Sequence, residues 1–334
     1  MQPDVMIAFS REALGLPLSV PVRLSALKKR GSDRAYFRLE WGSGQTAILV
    51  RYDPRRVENT YHADIAAFLA DIGIPVPRVA GHDEARCLIV MEDLGDIDLW
   101  SLARTPWETR SALYRKTLSV AHRLHSFPTA DFPSARVKLM DGFGPDLYRW
   151  ERDYFREHFV RGICGIDLDP RLGRKLEEEL SGLAERLAGT TTCLVHRDLQ
   201  SQNVMIRDGE PFLIDFQGMR PGSASYDLAS LLCDPYAGLS DDERDDLLSY
   251  YYGLSGTGGD RSAFRDRFWE ASAQRLMQAL GAYGFLGRKS GLDAFLAHIP
   301  AGLDNLIRAA GNVPSLPLLL ALAGKCRDIS GKGR

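Results

Sequence analysis

Apolar and polar positions alternate along the first third of the chain and shift to helical spacing along the rest. Runs at Val22–Lys28, Ala35–Trp41 and Thr46–Tyr52 predict three strands, the last two joined by the turn Gly42-Ser43-Gly44-Gln45. Apolar residues at 61, 65, 68, 69 and 72 predict a helix over Val57–Ile72. Gly73 stops it, and Pro75 and Pro77 prevent its continuation. Val76–Ala80 and Cys87–Met91 supply two more strands. From Trp107 onward the spacing predicts helices at about Glu108–Ser126, Asp146–Val160, Pro170–Leu187, Asp241–Tyr252, Ser262–Leu286 and Leu292–Ala309. The pattern is that of an α+β protein with two lobes: a small β-rich lobe over residues 1–95 and a larger helical lobe over 96–334, with Gly95 at the crossover. A ligand cleft is expected where the lobes meet.

One β island interrupts the helical part, Cys193–Gln217, CLVHRDLQSQNVMIRDGEPFLIDFQ. It carries His196-Arg197-Asp198, then Asn203, then Ile214-Asp215-Phe216, with apolar strand residues between and around them. These residue types at this spacing suit phosphoryl transfer from a magnesium nucleotide. Asp198 can accept a proton from a substrate hydroxyl, and Asn203 and Asp215 offer hard oxygen ligands for Mg²⁺. Each residue alone has a plain structural alternative, as a turn cap, a turn filler or a strand-end acid. The set of fixed polar identities flanked by strands is what points to chemistry.

The segment resembles the catalytic and metal-binding loops of the protein-kinase-like superfamily. With Gln200, with Asp215-Phe216-Gln217, and with Ser225-Tyr226-Asp227-Leu228-Ala229-Ser230 downstream, it is similar to the aminoglycoside phosphotransferase and choline kinase branch. More narrowly, the chain resembles the bacterial anomeric kinases for N-acetylmuramate and N-acetylglucosamine, over roughly Lys28 to Ile307. The resemblance implies a protein-kinase-like fold, ATP and Mg²⁺ as cofactors, and a small sugar as partner. The implied reaction is phosphorylation of the anomeric hydroxyl in cell-wall sugar recycling. It also implies a hinge at Met91-Glu92-Asp93-Leu94-Gly95, where the backbone at Glu92 and Leu94 would pair with adenine. His196 would bond backbone near Asp215, and Asp227 would brace the catalytic loop. Other phosphotransferase acceptors, an aminoglycoside or another small alcohol, stay open, as does a nucleotide-binding pseudokinase.

The turn Arg30-Gly31-Ser32-Asp33-Arg34 takes the place of a glycine-rich loop, with Ser32 and Arg34 as phosphate contacts or as a polar hairpin tip. The third strand lacks the family's lysine. Alternation puts Ala47, Leu49 and Arg51 on one face, making Arg51 the positional substitute, although guanidinium and ammonium are not interchangeable. Glu58, three residues before Tyr61, is expected inward on the following helix, either orienting Arg51 or favouring the helix dipole. For the acceptor, Tyr154 and His158 are candidates to meet a pyranose, Arg275 a lactyl carboxylate, and Asp234 the rim of the cleft. Core packing is the other reading of that aromatic stripe. The acids Asp241, Asp242, Glu243, Asp245 and Asp246 read better as helix capping than as a polycation site.

Composition bounds this picture. The 334 residues are 45% hydrophobic and 26% charged, with a net charge of −2, which gives no global basic field for nucleic acid. Five scattered cysteines and no C-x-x-C pair fit a reducing compartment rather than a zinc site or a disulfide framework. The N-terminus lacks a signal-peptide core and no apolar run reaches membrane length, so a cytoplasmic monomer without membrane contact is expected.

Overall fold

The computed structural model describes residues 2–27, 34–256, 260–289 and 292–332. The chain opens with helix α1, Pro3–Leu14, begun by proline and ended by Gly15 at φ 63°. Strands β1 (Val22–Ala26), β2 (Ala35–Trp41) and β3 (Gln45–Arg51) follow. A 3₁₀ turn, Val57–Tyr61, leads into α2 (His62–Asp71), and β4 (Val79–Asp83) and β5 (Leu88–Glu92) complete a five-stranded sheet of order β1-β2-β3-β5-β4. Neighbouring strands of this sheet are all antiparallel.

Pleat parity gives this sheet two different faces. Leu39, Ala47, Leu49, Leu88 and Val90 pack against Met6 and Phe9 of α1. Ile48, Val50, Tyr52, Ile89 and Met91 form the other layer, with Tyr36 and Val79.

The second lobe is mostly helical: α3 (Trp107–His125), α4 (Pro145–Phe155) and α5 (Pro170–Ala188) precede β6 (Cys193–Val195). The hairpin β7 (Val204–Arg207) and β8 (Glu210–Leu213) follows, then β9 (Arg220–Gly222), which pairs with β6. Helices α6 (Ala224–Leu232), α7 (Asp241–Leu254), α8 (Arg261–Lys289), α9 (Ile299–Gly311) and α10 (Pro317–Lys332) end the chain. The architecture is the α+β, two-lobed one expected.

Three local expectations change. Helix α1 adds an element in front of the first strand. The helix expected from Val57 begins as a 3₁₀ turn, so Glu58 sits on that turn. The strand expected at Val76–Ala80 starts at Val79, after Pro75 and Pro77. The acids of α7 are capping and ion-pair groups. Ser240 and Glu243 form a capping box, and Glu243, Asp245, Asp246 and Asp241 meet Arg110, Arg265, Arg115 and Arg244. Among the described residues, no helix is long and apolar enough to cross a membrane.

Against α4 and the π-turn Arg156–Arg161 that prolongs it, α8 presents glycines. A Cβ at Gly281 would come within 3.0 Å of the Phe155 nitrogen, and one at Gly284 within 2.3 Å of the His158 carbonyl oxygen. The two helices therefore approach backbone to backbone.

Candidate active site

Two buried carboxylates hold the loop after β6. Asp227 of α6 accepts the backbone N–H of His196 at 2.7 Å and of Arg197 at 2.8 Å, and lies 3.0 Å from His125 Nε2. Asp234 accepts the Ser201 N–H at 2.7 Å, the Ser201 hydroxyl at 2.5 Å and the Tyr236 N–H at 3.1 Å. Burial still pushes the Asp234 carboxyl up to about 6. His196 Nε2 donates to the Ile214 carbonyl at 3.0 Å, tying the loop to the residue before Asp215. Arg197 at φ 78° and Asp215 at φ 65° are both left-handed, which costs about 1 kcal/mol or more for a side chain like arginine. Such strain persists only where surrounding bonds over-determine the backbone.

Asp198, Asn203 and Asp215 line one cleft of about 220 Å³. Asp198 Oδ1 accepts from Arg275 Nη2 at 2.6 Å. The Asn203 amide nitrogen donates to the Asp198 carbonyl at 2.8 Å, which commits the nitrogen and leaves Oδ1 as the acceptor of that side chain. Asp215 Oδ1 accepts from Gln217 Nε2 at 2.6 Å and from Arg34 Nη2. Burial pushes this carboxyl up, but the charge and hydrogen bond of Arg34, with Gln217, outweigh burial and hold it down to about 2. The donor set fits a divalent cation such as Mg²⁺: an amide oxygen and a carboxylate ionised at neutral pH, on adjoining loops facing one cleft.

Other expected residues fall elsewhere. Ser32 lies outside the described residues. Arg51 has the predicted parity with Ala47 and Leu49, but that is the α1 face, whereas Val50 and Tyr52 line a small cavity with Arg34, Asn59 and His62. Among the described residues Arg51 and Glu58 form no ion pair, and Glu58 lines the main cleft with Arg34 and Arg56. The basic group bonded to Asp215 is therefore Arg34, immediately before β2.

Glu92 directs its side chain to Arg207 at 2.7 Å and to the Arg78 N–H at 3.2 Å, while Asp93 binds Arg38 at 2.6 Å. Burial opposes ionisation of Glu92, yet Arg207 and the Arg78 N–H hold its carboxyl below the usual range. The Leu94 N–H donates to no acceptor among the described residues.

The acceptor candidates are mostly corrected. Tyr154 and His158 belong to the α4–α8 seam: Tyr154 stacks on Trp150 at 5.1 Å, and both rings pack on Phe285. Neither lines the cleft. Their spacing of four residues makes a helix-packing stripe, the core alternative. Asp234 is filled by three donors and also lies off the cleft lining. Arg275 does line it, bound to Asp198. Another part of the cleft lining comes instead from α8, through Gln278, Ala279, Ala282 and Leu286, with Tyr236 and Phe295. A signal was present in the sequence, since 275, 278, 279, 282 and 286 share one helical face that mixes arginine and glutamine with small residues.

An antiparallel sheet over a helical lobe, with an acid, an amide and a second acid gathered at their junction, defines a kinase-like phosphotransferase. The sequence model of the Phosphotransferase enzyme family matches residues 23–281, and the chain belongs to that family. It is similar to the N-acetylmuramate/N-acetylglucosamine kinase of Neisseria meningitidis serogroup B, 25% identical over 296 residues that cover 86% of each chain. Among solved structures it is similar in fold to a choline/ethanolamine kinase family protein from Mesorhizobium loti, with TM-score 0.59 and 17% identity over 90% of this chain and 92% of that one. The aminoglycoside phosphotransferase APH(2")-IIa, solved with streptomycin and ATP, gives TM-score 0.59 and 15% identity over 89% of this chain and 96% of that one.

Proposed function

We propose that the protein transfers the γ-phosphoryl group of ATP, as its magnesium complex, to the anomeric hydroxyl of an N-acetylated amino sugar. The observation that carries this reading is the convergence of Asp198, Asn203 and Asp215 on one cleft. In the proposed complex Asn203 Oδ1 and Asp215 hold Mg²⁺, which when bound neutralises phosphate charge as it moves between oxygens. Asp198 orients the acceptor hydroxyl and takes its proton as the new O–P bond forms. In so loose a transition state, placement of the oxygen matters more than base strength. The adenine edge is assigned to the backbone at Glu92 and Leu94; the N–H of Leu94, which meets no acceptor among the described residues, supports that role.

The electrostatics of the cleft favour a neutral or anionic acceptor over a polycation. Of its three carboxylates among the described residues, Asp198 and Asp215 are each paired with an arginine, and Arg56 and Arg197 share the lining with Glu58. Four of the five acids at the start of α7 are held in ion pairs with arginines. The sugar itself is suggested by the name of the Neisseria relative.

The test is ADP release with Mg·ATP against N-acetylmuramate, N-acetylglucosamine, other hexosamines, kanamycin and choline, with ³¹P NMR of the product. An anomeric sugar phosphate is the expected result. Turnover confined to kanamycin or choline would overturn the acceptor assignment and leave the catalytic roles standing.

A further inference from the structure

We propose that Arg275 is a positioning residue for Asp198 rather than a ligand for the acceptor. This rests on the phosphotransferase reading above. Arg275 is only 4% exposed, and its guanidinium is engaged on three sides. Nη2 donates to Asp198 Oδ1 at 2.6 Å, Nε to Ser230 Oγ at 2.8 Å, and Nη1 to Gln278 Oε1. The three partners stand on the catalytic loop, α6 and α8 itself. A planar fork held at three edges has a fixed orientation, and the carboxylate bonded to it inherits that orientation. Asp198 then has one oxygen committed. Oδ2, with no hydrogen bond among the described residues, is left to meet the acceptor hydroxyl.

The geometry also argues against the role the sequence suggests for Arg275. Three of its five N–H groups are already committed, one of them to a carboxylate, and the side chain is almost wholly buried, so little of the guanidinium faces the cleft for an acceptor carboxylate. Turning it toward one would break bonds to a buried donor, which is costly. A residue that orients the base acts on every acceptor alike. A residue that binds a lactyl carboxylate acts only on the acidic sugar.

The experiment is steady-state kinetics of wild type, Arg275→Met, Arg275→Lys, Asp198→Asn and the double variant Asp198→Asn/Arg275→Met. N-acetylmuramate and N-acetylglucosamine serve as acceptors, and nucleotide affinity is measured by calorimetry. Arg275→Met is expected to lower kcat about 100-fold on both sugars, the scale of a base misplaced by about 1 Å. KM and nucleotide affinity should change less than about threefold, and Arg275→Lys should recover part of the rate. In the Asp198→Asn background the same change should cost almost nothing, because the residue acts through that carboxylate.

A KM increase for N-acetylmuramate alone, with kcat retained, would overturn the proposal. Equal kcat losses in both backgrounds would overturn it as well. Ser230→Ala removes one brace without touching the cleft and should lower kcat several-fold, which covers the case of an unfolded Arg275 variant. If wild type refuses both sugars, the acceptor assignment falls, and the same cycle is read on whichever alcohol it accepts, or on Mg·ATP hydrolysis.

Discussion

Two arginine–aspartate pairs face each other across the cleft, and they differ in what they join. Arg275–Asp198 is internal to the helical lobe and links α8 to the catalytic loop. Arg34–Asp215 joins the residue just before β2 in the sheet lobe to the loop after β8, so it spans the junction. The first leaves one carboxylate oxygen for the reaction and can persist through turnover. The second places an arginine on Oδ1 of the residue proposed to hold the metal and leaves Oδ2 without a hydrogen bond among the described residues, so a cation bound there would share the carboxylate with Arg34. On the proposed reading, one pair orients the base, and the other ties the sheet lobe to the carboxylate that would hold the metal.

The largest effect expected from breaking this arrangement is at the base. Asp198→Asn should lower kcat by about 10³-fold or more with nucleotide affinity unchanged, read by stopped assays and calorimetry. A similar loss in nucleotide affinity would mean that Asp198 belongs to the nucleotide side.

Removing Arg34 sharpens the comparison from the other pair. Arg34→Met leaves Asp215 without its cation and should cost about 1–3 kcal/mol of stability in urea unfolding, below the value for a fully buried pair because Asp215 is partly exposed. The pH dependence carries the sign. The folded Asp215 carboxyl is held at about 2, below its unfolded value. Its stabilisation is therefore present above about pH 4 and lost as pH falls toward about 2. In the variant that acid-side loss should shrink.

A comparable change tests the scaffold behind the first pair. Gly284→Ala puts a methyl on the His158 carbonyl and should destabilise by about 1–3 kcal/mol, outweighing the helix-propensity gain. Gly324→Ala in α10, with nothing within 4 Å, should instead stabilise by up to about 1 kcal/mol. Thermal midpoints of the two variants decide between them.

The smallest effect concerns Asp234, whose folded carboxyl is raised to about 6. Wild type should gain stability as pH falls from about 6 toward about 4, and Asp234→Asn should lose that gain, on the order of 1 kcal/mol.

What the sequence carried legibly was local. Asp198, Asn203 and Asp215 could be read because the strands that position them lie in the same stretch of chain. The ion pairs could not. Arg34 and Asp215 are 181 residues apart, and Arg275 and Asp198 are 77 apart, distances over which periodicity says nothing about contact. Arg51 is instructive in another way. Its alternation with Ala47 and Leu49 is as expected, but deciding which face looks into the cleft requires knowing that α1 covers the other. That helix was absent from the expected elements. Tyr154 and His158 were ambiguous for a different reason: an aromatic stripe has the same spacing whether it meets a sugar or a neighbouring helix.

The close approach of Gly281 and Gly284 to the backbone of the α4 end divides α8 into two kinds of surface. One side is seated closely at Gly281 and Gly284, where a side chain would meet the backbone of Phe155 and His158. The opposite side, at 278, 282 and 286, bears on the cleft and carries little of that seating. In the proposed complex, acceptor preference falls on a face that can be rewritten while its support stays put. A library confined to Gln278, Ala282 and Leu286 would be the economical place to retarget this enzyme, because the rail on which those residues ride is set by glycines that the library never touches.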